Sequence, residues 1–277
     1  MKKAILLTII FCWMSPSTSI LAATYDATGR WNFLASGNYN NCGEPSGSNE
    51  SGTAVLIQNE NSFLLIITSS TADNLKTVSG TINGAVYRFT DRYWEDGGWA
   101  NDTVTFTLSS LSSGSGSGSW VWSGGGDSCS GGYTLSLTQQ SQNTPAYDAS
   151  GTWNFNQTSF WNNCDETNPA SVPGTMTLKQ NRNRFTATDS IGGTWKGFVS
   201  GATYTFVNSY AEDGGVSSDI CTVNLSSAAQ GNGQCLWVWD LDGNSSDHCE
   251  GGSNISIAKQ ATITKSKAMS WLQLLFE

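Results

Sequence analysis

The sequence predicts an all-β protein made of two tandem antiparallel up-and-down eight-stranded β-barrels. Three observations carry this expectation: the chain repeats itself once, its apolar residues alternate with period two, and its cysteines sit where barrel closure brings them together.

The repeat is direct. Tyr25-Asp-Ala-Thr-Gly-Arg-Trp-Asn-Phe33 returns as Tyr147-Asp-Ala-Ser-Gly-Thr-Trp-Asn-Phe155. Tyr93-Trp-Glu-Asp-Gly-Gly98 returns as Tyr210-Ala-Glu-Asp-Gly-Gly215, and Trp120-Val-Trp122 as Trp237-Val-Trp239. Asp127-Ser-Cys129-Ser-Gly-Gly132 returns as Asp247-His-Cys249-Glu-Gly-Gly252. A period of about 118 residues sets a unit that is used twice.

Residues 1–23 read as a signal peptide. Lys2 and Lys3 precede an apolar run over 5–13, and Ala22 and Ala23 supply small residues for cleavage. Cys12 follows Phe11, where a lipid-anchored leader needs a small residue, so no anchor is expected. The mature chain is expected to be soluble, periplasmic or secreted, without membrane insertion.

Repeat 1 spans 24–140. Its strands are expected near 29–36, 52–59, 62–69, 76–82, 85–92, 102–109, 116–122 and 132–139. Phe63, Leu65 and Ile67 alternate, as do Val104, Phe106 and Leu108, and Tyr133, Leu135 and Leu137. Residues 141–145 are polar, end in Pro145 and read as a linker. Repeat 2, 146–260, supplies eight strands at matching places, and short links make neighbours antiparallel. The tail, 261–277, lies outside the duplication. It reads either as a short apolar helix over 269–276 or as a frayed end.

Eight strands can close as a barrel or stack as a β-sandwich, which is the alternative here. In a meander, the loops after strands one and seven share an end, and closure makes them neighbours. Cys42 and Cys129 occupy those loops, as do Cys164 and Cys249. Six cysteines in an exported chain suggest disulfides, paired within each repeat. Each matched bridge closes a loop of roughly 85 residues, a constraint of about 4 kcal/mol in the chain-entropy model. Cys221 and Cys235 occur only in repeat 2. They fall on adjacent strands six and seven, both pointing inward, and are expected to pair near the end opposite the other bridge.

Gly29-Arg-Trp31 and Gly151-Thr-Trp153 open the first strand of each unit. In this the chain resembles the calycin group, lipocalins and avidins, whose first strand carries Gly-x-Trp. The resemblance implies that Trp31 and Trp153 plug one barrel end beneath a late basic residue, although no matched arginine follows in either copy. Asn32-Phe33-Leu34 departs from the polar biotin-binding strand of avidins, so biotin is not expected.

Removing Lys2 and Lys3 with the leader leaves 11 basic residues against 22 acids, a net charge of −11. Nucleic acid is therefore not an expected partner. His248 is the only histidine, so repeat 1 holds no serine or cysteine triad, and neither a zinc set nor a phosphate loop is present. The expectation from sequence is a chain that is not an enzyme.

Two groups of residues remain as candidate sites. Glu44, Glu95, Asp96 and Asp127 match Glu166, Glu212, Asp213 and Asp247, and in a barrel these loops open at one end. Carboxylates converging there suit Ca²⁺ or a cationic ligand; simple turn chemistry is the competing explanation. Trp120 and Trp122, matched by Trp237 and Trp239, share faces, with Tyr93 and Tyr210 on the fifth strands. A barrel of this size is either filled by such side chains or holds one small ligand. The leading expectation is an exported, non-enzymatic binding protein taking a small molecule in barrels with acidic mouths. One alternative is a carbohydrate-binding or adhesive module that uses exposed tryptophan and calcium. Another is a disulfide-stapled structural repeat without a small ligand.

Overall fold

The structure is a computed structural model that describes residues 22–43, 49–70, 75–164, 167–241 and 244–261. The expectations for leader residues 1–21, for tail residues 262–277, and for Glu44 and Glu166 fall outside these residues. Among the described residues there are sixteen strands and no helix.

Barrel 1 contains β1 (Gly29–Asn40), β2 (Glu50–Asn59), β3 (Ser62–Ser70), β4 (Lys76–Asn83), β5 (Val86–Glu95), β6 (Gly98–Leu108), β7 (Ser113–Gly124) and β8 (Asp127–Gln139). Barrel 2 contains β9 (Gly151–Asn162), β10 (Ser171–Asn181), β11 (Arg184–Asp189), β12 (Thr194–Ser200), β13 (Thr203–Glu212), β14 (Gly215–Ser227), β15 (Gln230–Leu241) and β16 (Asn244–Lys259). Each is an antiparallel meander closed by its first and last strands, β1 on β8 and β9 on β16. That closure excludes the sandwich alternative.

The strands run further into the turns than the alternation indicated. Asp96 and Gly97, and again Asp213 and Gly214, both adopt positive φ. A two-residue Asp-Gly turn of this kind matches the twist of the flanking strands. Pairing therefore begins immediately, at Glu95 with Gly98 and Glu212 with Gly215.

One end of each barrel is closed by the segment before its first strand. The Trp31 indole N–H donates to the Ala27 carbonyl at 2.8 Å, and Trp153 donates to Ala149 at 2.7 Å. A buried tyrosine and glutamine brace the same segment. Tyr87 donates to Gln58 Oε1 at 2.9 Å, and that oxygen also accepts the Ala27 N–H. Tyr204, Gln180 and Ala149 repeat this arrangement. In barrel 2 a basic residue does cover the tryptophan: Lys259 Nζ lies 5.6 Å from the Trp153 ring centroid. The missing arginine is thus replaced by a lysine there, whereas Gln139 takes that register in barrel 1.

Aromatic side chains fill the lower barrels. Tyr87 stacks on Phe106 at 4.9 Å, with Phe63 tilted against Tyr87 and edge-on to Phe106. Phe185 and Phe206 meet at 4.5 Å in barrel 2.

The outer walls also pack together. Val55, Ile57 and Ile66 of β2 and β3 form one buried cluster with Phe198, Val207, Ile220 and Val238 of β12–β15. Arg184 straddles the junction, bonding Asp26 and the Thr28 carbonyl of barrel 1 and Gln142 of the connecting segment. Different faces of the two copies meet, so the contact is heterologous. The β10–β11 face, equivalent to the one barrel 1 uses, exposes Thr177, Lys179, Thr186 and Thr188 instead.

Candidate functional site

The ends opposite the tryptophan plugs carry the Cys42–Cys129 and Cys164–Cys249 disulfides, which tie the end of the first strand to the start of the last. The third bridge, Cys221–Cys235, joins directly paired residues of β14 and β15. It lies at mid-height and not near the far end, because Cys221 pairs with Phe206, which belongs to the central aromatic layer.

On the inner face, toward the end opposite each plug, stands a carboxyl that the alternation alone did not single out. Asp102 on β6 and Asp219 on β14 occupy the same register, opposite Trp120 and Trp237 respectively. Burial holds the Asp102 carboxyl above the usual range; a hydrogen bond from Tyr133, at 2.7 Å, opposes that shift, and the charge of Asp91 adds to it. The second oxygen, Oδ1, is buried without a hydrogen-bond partner. Beside it Lys76 pairs with Asp91 and lies 4.1 Å from the Tyr93 ring centroid.

Burial pushes Asp219 up to about 7, with the charges of Glu212 and Asp189 adding to the shift and the Tyr210 hydroxyl opposing it. Tyr210 itself is pushed up to about 12 by burial and by the charges of Asp219 and Glu212. Glu212 accepts from Ser217 at 2.6 Å, and its backbone carbonyl accepts the Trp239 indole N–H at 2.9 Å.

A pH dependence follows. Folded Asp219 takes up its proton near pH 7, whereas the unfolded carboxyl does so near 3.8. Between those values the folded state holds the extra proton, so this group's contribution to stability falls as pH rises from about 4 to 7. In urea titrations, Asp219→Asn is expected to gain on the parent chain as pH rises from 4 to 8. An advantage that stays constant across this range would contradict the assignment.

The four rim tryptophans are half-buried and on the inner face. Their packing explains the paired glycines kept in both repeats. A Cβ at Gly131 would collide with the Trp120 ring, and one at Gly132 would press on Tyr39. Gly251 receives Trp237, and Gly252 receives Trp161, in the same way. One ring lies inside and one outside each Gly-Gly pair. Trp122 covers Gly98 and Gly124. These indoles are therefore wall as well as lining.

Below the rim, barrel 2 holds a cavity of about 20 Å³ bounded by Phe155, Met176, Asp189, Trp195 and Ile257. That is room for a water molecule, far below the roughly 300 Å³ of an ordinary small-molecule site. Barrel 2 is filled at mid-height by these side chains.

Of the acids predicted from sequence, four have described side chains. Asp96 and Asp213 occupy turn positions, and Asp127 opens β8. Glu212 is held by Ser217. Glu44 and Glu166, and the side chains of Glu95 and Asp247, lie outside the described residues. Among the described residues no three His, Cys, Asp or Glu side chains converge to hold a metal ion.

The fold defines a class, the tandem closed eight-stranded β-barrel protein. No protein-family model and no curated protein matches the chain. Among solved structures, the chain is similar to a protein of unknown function from the DUF3598 family of Nostoc punctiforme, with 10% identity and a TM-score of 0.26, over 84% of this chain and 96% of that one. It is also similar to kievitone hydratase from Nectria haematococca, with 7% identity and a TM-score of 0.20, over 85% and 90%. The expectation that the chain is not an enzyme is corrected by that second match, because an enzyme stands among its structural neighbours. At this level of similarity the match assigns no activity to this chain either.

Proposed function

We propose that the chain is an exported binding protein whose barrels take a small ligand at their open ends, with an amine or similar hydrogen-bond-donating cation directed at Asp102 or Asp219. The observation that carries this reading is the matched pair of carboxyls inside the two rims. In barrel 1 one buried oxygen lacks a partner, and in barrel 2 the proton is held to about pH 7. A buried carboxyl short of partners is costly, and a donor that pairs with it removes that cost. The aromatic rim offers an apolar wall for the rest of the ligand. The net negative charge favours the approach of cations.

The Gly-x-Trp resemblance to calycins supports the binding reading. Export is supported by the three disulfides, which suit an oxidising compartment, and by the leader pattern. Calcium at the mouths, through loop acids such as Glu44 and Glu166, stays part of the proposal. The test is a thermal-shift screen with small primary amines. Amines that raise the melting temperature of the parent chain are expected to leave Asp102→Asn/Asp219→Asn unchanged. Equal shifts in both proteins would place the amines elsewhere.

A further inference from the structure

We infer that the outer wall of barrel 2 carries a cleft for a neutral saccharide, built on Trp161. This site is separate from the barrel mouths and does not depend on them. A concavity of about 360 Å³ opens between β9, β15 and β16, within the usual size range of small-molecule sites.

Its shape comes from a β-bulge. Ser159 adopts φ 55°, and the β9–β16 register slips between Gly252 and Asn254. The extra residue bends β9 locally, and Trp161 points outward. The indole lies across Gly252, where a Cβ would come within 2.8 Å of Nε1, and the side chain stays 48% exposed. The glycine thus seats the ring on the wall.

The remaining lining is chemically specific. Gln234 and Asn254, directly paired across β15 and β16, place exposed amides beside the indole, with Ser159 at the edge. Each amide offers both a donor and an acceptor. No charged side chain lines the cleft, and its apolar surface comes from the exposed Trp161 ring and Leu236. An aromatic shelf with adjacent amides matches a neutral pyranose, which presents an apolar C–H face and a rim of hydroxyls. A lipid chain would need enclosure, and an ionic ligand would need a counter-charge.

Barrel 1 keeps the shelf but not the amides. Tyr39 lies on Gly132 and is 65% exposed. Ser117 and Thr134 occupy the amide positions, and the Thr134 hydroxyl is already bonded to Ser36. The two copies have therefore diverged at this place, and the inferred cleft belongs to barrel 2.

The test uses the full disulfide-bonded chain on an array of neutral oligosaccharides of glucose, mannose and N-acetylglucosamine, followed by calorimetric titration of the glycan retained most strongly. At least one glycan is expected to bind. Trp161→Ala should weaken it about tenfold or more, while Trp161→Phe keeps most of the affinity. Gln234→Ala and Asn254→Ala, both at exposed side chains, should weaken it as well and cover the case in which Trp161→Ala fails to fold. Trp94→Ala, an exposed tryptophan on barrel 1, should change nothing. Retention of no glycan, or undiminished binding by the Trp161 and amide variants, would overturn the inference. Either result would leave the amine reading of the mouths as it stands.

Discussion

Replacing Trp153 with alanine is expected to destabilise the protein by about 3–5 kcal/mol, the usual cost of emptying a buried aromatic site. Trp153 is fully buried and is the largest side chain of its core. It also holds the closing segment through its bond to Ala149, and the ring lies under Lys259. With the indole gone, the Tyr147–Ser150 segment loses its anchor, and the Tyr204–Gln180 pair beneath it loses a wall. Trp31→Ala should do the same to barrel 1 for the same reasons. Trp94→Ala, at a side chain 43% exposed, is expected to cost under about 1 kcal/mol. Urea denaturation monitored by circular dichroism separates these outcomes. Equal, small losses at Trp153 and Trp94 would show that the plug bears no load.

Ile66→Asp is expected to separate the barrels while leaving each one folded. Ile66 is 1% exposed, yet it points outward from β3 into the junction with barrel 2. The substitution removes an aliphatic contact and buries a charge whose neighbours are apolar, a loss of about 3 kcal/mol or more. The interior of barrel 1 is untouched, because Phe63 and Leu65 carry that face. Small-angle scattering should show a larger radius of gyration, and calorimetry should resolve two transitions in place of one. An unchanged radius with a single transition would mean that Arg184 and the connecting segment hold the pair together without the apolar cluster.

How much of this could be read from the sequence differs from element to element. Closure was legible because Cys42 and Cys129 fall in loops that only neighbouring first and last strands bring together. The plug was legible in Gly-x-Trp. The junction was less so. Ala54-Val-Leu-Ile57 and Phe63-Leu-Leu-Ile-Ile67 are continuous apolar runs, the mark of strands buried on both faces. Reading only their alternate residues gave the inner face and left Val55, Ile57 and Ile66 without a role. Asp102 and Asp219 escaped because the surrounding residues differ, Asn101 and Thr103 against Ser218 and Ile220. Their equivalence appears once both are counted four residues from Gly98 and Gly215. Strand parity then places them on the inner face, but parity says nothing about depth, and depth is what raises the carboxyls. The turn acids were easier to see and less informative, since Asp96 and Asp213 are accounted for by the hairpin itself.

In the proposed function, the barrel ends opposite the plugs hold a ligand through Asp102 and Asp219. Native mass spectrometry of the full disulfide-bonded chain isolated from its native source, beside Asp102→Asn/Asp219→Asn prepared in the same way, tests it most directly. The parent chain should carry a discrete extra mass on the order of a few hundred daltons, and the double variant should be bare. Extra mass in multiples of calcium would move the site to the loop acids. A parent chain with the bare mass of three disulfides, or an adduct that both proteins keep, would contradict the account.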